Sequence, residues 1–304
     1  MTNAWIQRLL AVGLLLLGVG CAYQWRQLNS AWFLTVVAAP LAVVAAVGAI
    51  QFIALYIFNQ KDLAPKATLA EYAKAYGTEL WSSLKIFGLW QPFQHRLLPD
   101  NLIKDKQQRC GIILVHGFFC NRAFWNGWMR LLQREGRVYV AVDLMPAFGS
   151  IDDYVDLLER AVKQVVDLTG QPAVLVGHSM GGLAIRAWLN LRSKNADQAD
   201  TLRLVKQVIT LGTPHQGTWF GAVSHAANGR QMALSSKWLQ NLAHKEQALA
   251  KVKFICFYSN CDNIVFPISS ATLPQADNRM VTGLGHVAMA YDKRTQKACW
   301  ELML

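Results

Sequence analysis

Ser179 lies in the run Val174-Leu175-Val176-Gly177-His178-Ser179-Met180-Gly181-Gly182. A serine hydroxyl is a weak nucleophile until a base takes its proton. The usual base is histidine, whose pKa lies near neutrality. A carboxylate must then fix the imidazole tautomer and stabilise the imidazolium. The spacing Gly-x-Ser-x-Gly suits a serine used in this way. Residues 173–176 are apolar and follow Gly170 and Pro172, as a short buried strand would. Beyond Gly182, residues Leu183, Ala184, Ala187, Trp188 and Leu191 recur at helical spacing. A strand, a tight turn and a helix in that order push the serine out at the tip of the strand. The flanking glycines remove Cβ atoms where the chain reverses. The N–H of Met180 then sits at a helix N-terminus, where negative charge is favoured.

Five residues alone are weak evidence, since Gly-x-Ser-x-Gly arises by chance in roughly one of ten chains of this length. The chemistry needs partners at the same edge of the molecule. Asp262 ends an apolar run at Ser259-Asn260-Cys261-Asp262, and His286 sits in Gly283-Leu284-Gly285-His286 after the last short run. They are the expected acid and base. Asp277 is the alternative acid, and Asp262 in a loop-capping turn is the alternative to its catalytic use. Of the seven histidines, His116 and His178 are expected to shape turns, and His215 precedes Asp262 in the chain. An oxyanion hole needs two backbone N–H groups aimed at the developing charge. Met180 supplies one. Phe118, after the turn at His116-Gly117, is expected to supply the other.

Positioning these residues requires strands that end at one edge. Apolar runs at residues 111–115, 138–142, 173–176, 204–211, 253–258 and 279–282 read as strands. The first is apolar throughout, as in a parallel sheet covered on both faces. Helical spacing separates the runs: residues 122–134 form one helix. Another opens at Ser150, an expected N-cap with Asp153 three residues on, and residues 293–304 form a last one. Strands alternating with helices specify an α/β fold with a mostly parallel, doubly wound sheet, its functional loops at the carboxyl ends of the strands.

Five motifs in one order carry a family resemblance. They are His116-Gly117-Phe118; Gly177-His178-Ser179-Met180-Gly181; Leu211-Gly212-Thr213-Pro214-His215-Gln216-Gly217; the Asp262 loop with Val265; and Gly285-His286. Over residues 111–289 the chain resembles the bacterial triacylglycerol lipase and esterase group of α/β-hydrolases. The resemblance implies a serine hydrolase of carboxylic acyl esters that uses no cofactor. It implies Ser179, Asp262 and His286 as triad and Phe118 and Met180 as oxyanion donors. Some members carry a structural calcium ion; the sequence offers no clear ligands for one, so no metal is expected. Residues 216–250 stand where a lid or acyl pocket would lie, so Trp219 and Phe220 are candidate substrate contacts, with a packed helical connection as the alternative; Phe119, next to Phe118, is a third candidate. The same acyl-enzyme would also serve an acyltransferase, and a non-catalytic membrane scaffold is the reading from another class.

The N-terminal sixty residues depart from soluble secreted lipases. Hydrophobic residues make up 53% of the 304-residue chain and charged residues only 16%, and the excess is at the N-terminus. Residues 5–22 are apolar apart from Gln7 and Arg8, and residues 31–58 hold no charge, one Gln and one Pro. Both runs are long enough to cross about 30 Å of hydrocarbon. The short link between them predicts a transmembrane hairpin over residues 1–60, ahead of a connector at 61–108 and a catalytic domain at 109–304. A cleaved signal or lipoprotein site at Cys21 is the alternative. Arg8, Lys61, Lys66 and Lys74 flank the hairpin ends and only Arg26 lies in the link. The positive-inside rule then places the catalytic domain on the cytoplasmic side of a bacterial inner membrane, whereas a signal or lipoprotein reading places it in the periplasm.

The formal charge of +11 comes with no Lys/Arg run, which points away from nucleic acid and to anionic phospholipid, with a scattered solvating surface as the alternative. A lipid or other acyl-ester substrate and membrane phospholipid are the expected partners. The connector has apolar spacing at Leu69, Tyr72, Ala73, Tyr76 and Leu80, suited to an amphipathic element on the bilayer or to a packed edge of the domain. The six cysteines show no metal-ligand spacing and read as mostly free thiols, with Cys120–Cys261 and Cys110–Cys256 bridges left open.

Overall fold

The computed structural model describes residues 3–26, 32–103, 107–195, 203–244 and 252–303. All six expected strands are present: β1 (Ile112–Val115), β2 (Tyr139–Val142), β3 (Ala173–His178), β4 (Val205–Leu211), β5 (Phe254–Ser259) and β6 (Asp277–Val281). They form one sheet in the order β2-β1-β3-β4-β5-β6, and every pairing is parallel. The reversal of strand order lies between β1 and β3, where ligands bind in open sheets of this kind. The last strand starts two residues before the expected position, because Asp277 and Asn278 pair with Ile255 and Cys256 although neither is apolar. This strand is only partly buried, so backbone pairing rather than core packing sets its start.

Period-two alternation divides the strands between two cores. Ile113, Val115 and Leu175 face one side with α5 (Val155–Thr169) and α6 (Met180–Asn195). Ile112, Leu114, Val174 and Val176 face the other with α4 (Asn126–Arg134) and α8 (Lys293–Met303). The sheet is thus covered on both faces, which is why its strands read as continuous apolar runs. A single 3-10 turn, Arg122–Trp125, opens the helix expected over 122–134. The Ser150–Asp153 capping box forms as expected, ahead of a 3-10 turn that leads into α5. α7 (Lys237–His244) follows two short turns at Trp219–Ala222 and Ala227–Gln231.

Ahead of this domain come α1 (Asn3–Trp25), α2 (Trp32–Phe58) and α3 (Leu69–Lys85). The first two are helices long and apolar enough to cross a membrane. They cross closely at Gly18, where a Cβ would sit 2.1 Å from the Val36 carbonyl oxygen, so no larger residue fits there. The centre of the hairpin link, residues 27–31, lies outside the described residues. Thr68 caps α3 with Glu71 in a complete capping box. One face of α3 meets α2 and the sheet domain: the Tyr76 hydroxyl donates to Ala45 O at 2.9 Å, and Ala75 and Glu79 are buried. Its other face leaves Leu69 and Trp81 exposed. A π-helical turn, Ile86–Trp90, continues from α3 and buries Ile86 and Trp90 against the Trp125 and Trp128 core. All six cysteines are free thiols, so neither of the two bridges left open by the sequence is present.

Candidate active site

Ser179 occupies the junction of β3 and α6 with φ of 54°. A non-glycine residue pays a strain cost in this left-handed region, and the surroundings must hold it there. They do so through the backbone. The Ser179 N–H donates to Leu211 O at 2.9 Å, and its carbonyl accepts from Thr213 Oγ1 at 2.9 Å and from the Gly182 N–H at 3.1 Å. Gly181 permits the turn to press on the neighbouring strand, since a Cβ there would lie 2.2 Å from Val115 O. Met180 begins α6, so its N–H is among the first amides of the helix, which have no intrahelical acceptor.

Asp262 and His286 come together from the loops after β5 and β6. His286 Nδ1 lies 2.9 Å from Asp262 Oδ2 and 3.0 Å from Oδ1, and both residues are buried. With Nδ1–H donated to the carboxylate, Nε2 carries the lone pair a base needs. Asp262 Oδ1 also accepts the N–H groups of Ile264 at 3.0 Å and Val265 at 2.8 Å, which fixes the carboxylate plane. The loop after β4 ties this pair to the serine. Leu211 accepts the Ser179 N–H, and a Cβ on the adjacent Gly212 would lie 2.9 Å from Asp262 Oδ2 and 3.1 Å from His286 Nδ1. Asp277, the alternative acid, is instead exposed and paired with Arg279 at 2.6 Å.

Burial by itself would depress the His286 pKa. The attraction and hydrogen bond of Asp262 outweigh it, with Glu79 adding to them, and hold the ring above the ordinary histidine value. His178, next to the serine, behaves in the opposite way. Burial and then the nearby His286 hold it well below the ordinary value, so it is neutral. Its ring stacks on Phe124 at 4.3 Å, and its Nε2–H donates to His286 O at 3.2 Å. His116 accepts the Leu144 N–H at Nε2 and donates from Nδ1 to Gly117 O, locking the turn before Phe118. His215 is buried on Thr210 and Cys256, with no bond to Asp262 or Ser179 among those found.

Phe118 and Phe119 stand on the loop after β1, half-buried and in ring contact with Phe148. Gly117 brings this loop against Ser179: a Cβ there would lie 2.8 Å from Ser179 Cβ. Phe119 lines an apolar cavity between α1, α2 and α3. Trp219 and Phe220 pack elsewhere. Trp219 stacks on Phe58 of α2 at 4.3 Å, and Phe220 meets Phe266 edge-on at 5.2 Å.

The site also uses residues that the motifs do not contain. Glu79 of α3 is buried, and its carboxylate accepts the N–H of Val287 at 3.0 Å and of Ala288 at 2.8 Å, directly after His286. Burial raises its pKa, more than these two hydrogen bonds lower it. Asn263 Oδ1 accepts the His286 N–H at 3.0 Å, and its amide donates to Gln51 of α2 at 2.7 Å. Gln7 of α1 donates to Phe119 O at 2.7 Å and accepts from Asn121 at 3.0 Å, while Asn3 donates to Cys120 O at 2.6 Å. Gln7 and Gln51 were visible in the sequence as polar residues within apolar runs, but what they would touch was not.

The ring environments make a testable statement about charge. In an NMR titration of the histidine side chains, His286 should deprotonate above pH 6.5, becoming the neutral base as pH rises through its pKa. Asp262→Asn removes the opposing charge and should lower that pKa, while His178 stays neutral through the same range. A wild-type His286 that titrates below 6.5 would contradict the pairing.

Comparisons with known proteins agree with this architecture. Residues 112–294 match the model of the alpha/beta hydrolase family. A triacylglycerol lipase of Pseudarthrobacter phenanthrenivorans is 38% identical over 123 residues, which is 37% of this chain and 35% of that protein. A triacylglycerol lipase of Burkholderia plantarii is likewise 38% identical over 123 residues, 31% of its length. The match thus spans about a third of these relatives. Among solved structures, the mature form of a Bacillus licheniformis lipase superposes with a TM-score of 0.56 at 17% identity, over 66% of this chain and 94% of that one. Lipase B of Aspergillus fumigatus gives 0.54 at 17% identity, over 63% and 52%. Those likenesses show the shared fold, and the matched family model covers the sheet and the loops that carry Phe118, Ser179, Asp262 and His286. The chain belongs to the α/β hydrolase family.

Proposed function

We propose that this protein is a membrane-anchored serine hydrolase of carboxylic acyl esters, an esterase or lipase. The observation that carries the reading is the buried His286–Asp262 pair, joined through Leu211 and Gly212 to a serine held at positive φ at the head of a helix. Ser179 Oγ attacks the ester carbonyl as His286 Nε2 takes its proton. The N–H groups of Phe118 and Met180 hold the oxyanion, each contributing about 2.7–4 kcal/mol to the transition state. The C–O bond to the alcohol breaks, and the proton on His286 goes to the leaving alkoxide. Water, deprotonated by the same ring, then attacks the Ser179 acyl ester and releases the acid. Two triacylglycerol lipases among the relatives support an ester substrate.

The activity has a direct test. Full-length wild-type protein should hydrolyse p-nitrophenyl esters, and Ser179→Ala should lose on the order of 10⁶-fold in kcat. The acid limb of kcat/KM should follow the titration of His286, rising with pH until the ring is neutral. Equal rates for wild type and variant would refute the assignment of the nucleophile.

We also propose that α1 and α2 form a transmembrane hairpin, with the catalytic domain on the cytoplasmic side. Two helices of sufficient length and hydropathy support it. So do the contacts: the first turns of α1 bond to Phe119, Cys120 and Asn121, Gln51 near the end of α2 bonds to Asn263, and Asn59 just after α2 bonds to Ile268. Both hairpin ends thus meet the same domain, with Arg8, Lys61 and Lys66 on that side. Reporter fusions after Leu304 should give an active green fluorescent protein and an inactive alkaline phosphatase. The reverse pattern would place the domain in the periplasm.

A further inference from the structure

Between α1, α2 and α3 lies a cavity of about 550 Å³. That is within the roughly 300–1,000 Å³ range of small-molecule sites. Its walls are mainly aliphatic and aromatic, with Leu10, Leu15, Val44, Leu80, Leu84 and Phe87 among them. Phe119 alone of the lining residues falls within the stretch matched by the family model, at 112–294. The cavity is therefore an addition of the N-terminal segment to the hydrolase domain.

Its polar lining residues are placed unevenly. Gln7, Gln51 and Glu79 each bond to a loop of the candidate active site: Gln7 to Phe119 O, Gln51 through Asn263 to the His286 N–H, and Glu79 to Val287 and Ala288. From Gln7 the lining follows α1 to Leu15, and from Gln51 it follows α2 back to Pro40, roughly 12 to 17 Å along the helix axes. One end thus abuts the loops that carry the oxyanion donor, acid and base. The other runs up two helices apolar enough to lie in hydrocarbon. A polar end at a reaction centre and an apolar trough within the bilayer match an ester whose carbonyl is at the interface and whose chain is among lipid tails.

We propose that this cavity binds the acyl chain of the substrate, which enters sideways from the bilayer between α1, α2 and α3 and presents its ester carbonyl to Ser179. The proposal rests on the acyl-enzyme reading given above. It names long-chain glycerolipid esters of the host membrane as the substrate class. The hairpin then serves as part of the substrate site as well as an anchor.

The test uses the full-length protein in lipid nanodiscs and a hexadecyl fluorophosphonate bearing a diazirine at the end of its chain. After labelling and irradiation, peptide mass spectrometry should find the phosphonate on Ser179 and the photo-cross-link within residues 10–15, 40–52 or 80–88. A cross-link confined to residues 219–234, with Ser179 labelled, would overturn the cavity assignment and leave the acyl-enzyme intact. No phosphonate on Ser179 would remove the acyl-enzyme reading, and this proposal with it. As a second measurement, Val44→Trp and Ser83→Trp, which fill the cavity from two different helices, should each lower the ratio of kcat/KM for C16 over C4 p-nitrophenyl esters at least tenfold. An unchanged ratio in both variants would also overturn the cavity assignment.

Discussion

The buried contact between Asp262 and His286 sets the conditions that the rest of the site must meet. A carboxylate and an imidazole taken out of water are costly unless they face each other with their remaining hydrogen bonds satisfied. Asp262 meets this with the Ile264 and Val265 N–H groups, and its charge keeps the His286 pKa above the ordinary value despite burial. A ring that must take and return a proton also has to stay in one place. Its backbone is therefore held on both sides: the N–H by Asn263, the carbonyl by His178, and the next two amides by Glu79.

Those braces reach outside the hydrolase sheet. Glu79 lies on α3, and Gln51, which positions Asn263, lies on α2. On the opposite side, Asn3 and Gln7 of α1 bond to the loop beyond Phe118, and Gln91 joins the same buried cluster through Asn121. The α/β hydrolase fold can build this catalytic arrangement from its own loops. Here the N-terminal segment supplies part of the support on both sides of Ser179. In the proposed membrane-anchored enzyme, a lipid environment that orders the hairpin would therefore also order the loops of Phe118 and His286.

How far the sequence foretold this depends on the range of the forces involved. The six strands, the elbow and the capping box at Ser150 follow from local pattern, because periodicity, glycine and cap chemistry act within a few residues. Asp262 and His286 were found by chain order, which the parallel sheet converts into proximity. Glu79, Gln51 and Gln7 were not assigned roles, since each contacts groups more than a hundred residues away. Their signal was present as an exception: polar side chains on faces or runs that were otherwise apolar. Trp219 and Phe220 were candidates for substrate contact by their apolar character; they pack on Phe58 and Phe266 while staying half-buried.

In the proposed hydrolase, a covalent acyl-serine forms and decays through one histidine. Protonating His286 slows both steps, but a p-nitrophenolate leaving group needs little help from the acid whereas the serine alkoxide does, so deacylation should limit turnover. Stopped-flow mixing of full-length protein with a p-nitrophenyl ester at pH 5.5, followed by intact-mass analysis of the quenched protein, tests this most directly. The account predicts a burst of nitrophenol equal to the enzyme concentration and one acyl adduct located on Ser179. Turnover that proceeds with no burst and no acyl-protein at any pH would contradict it.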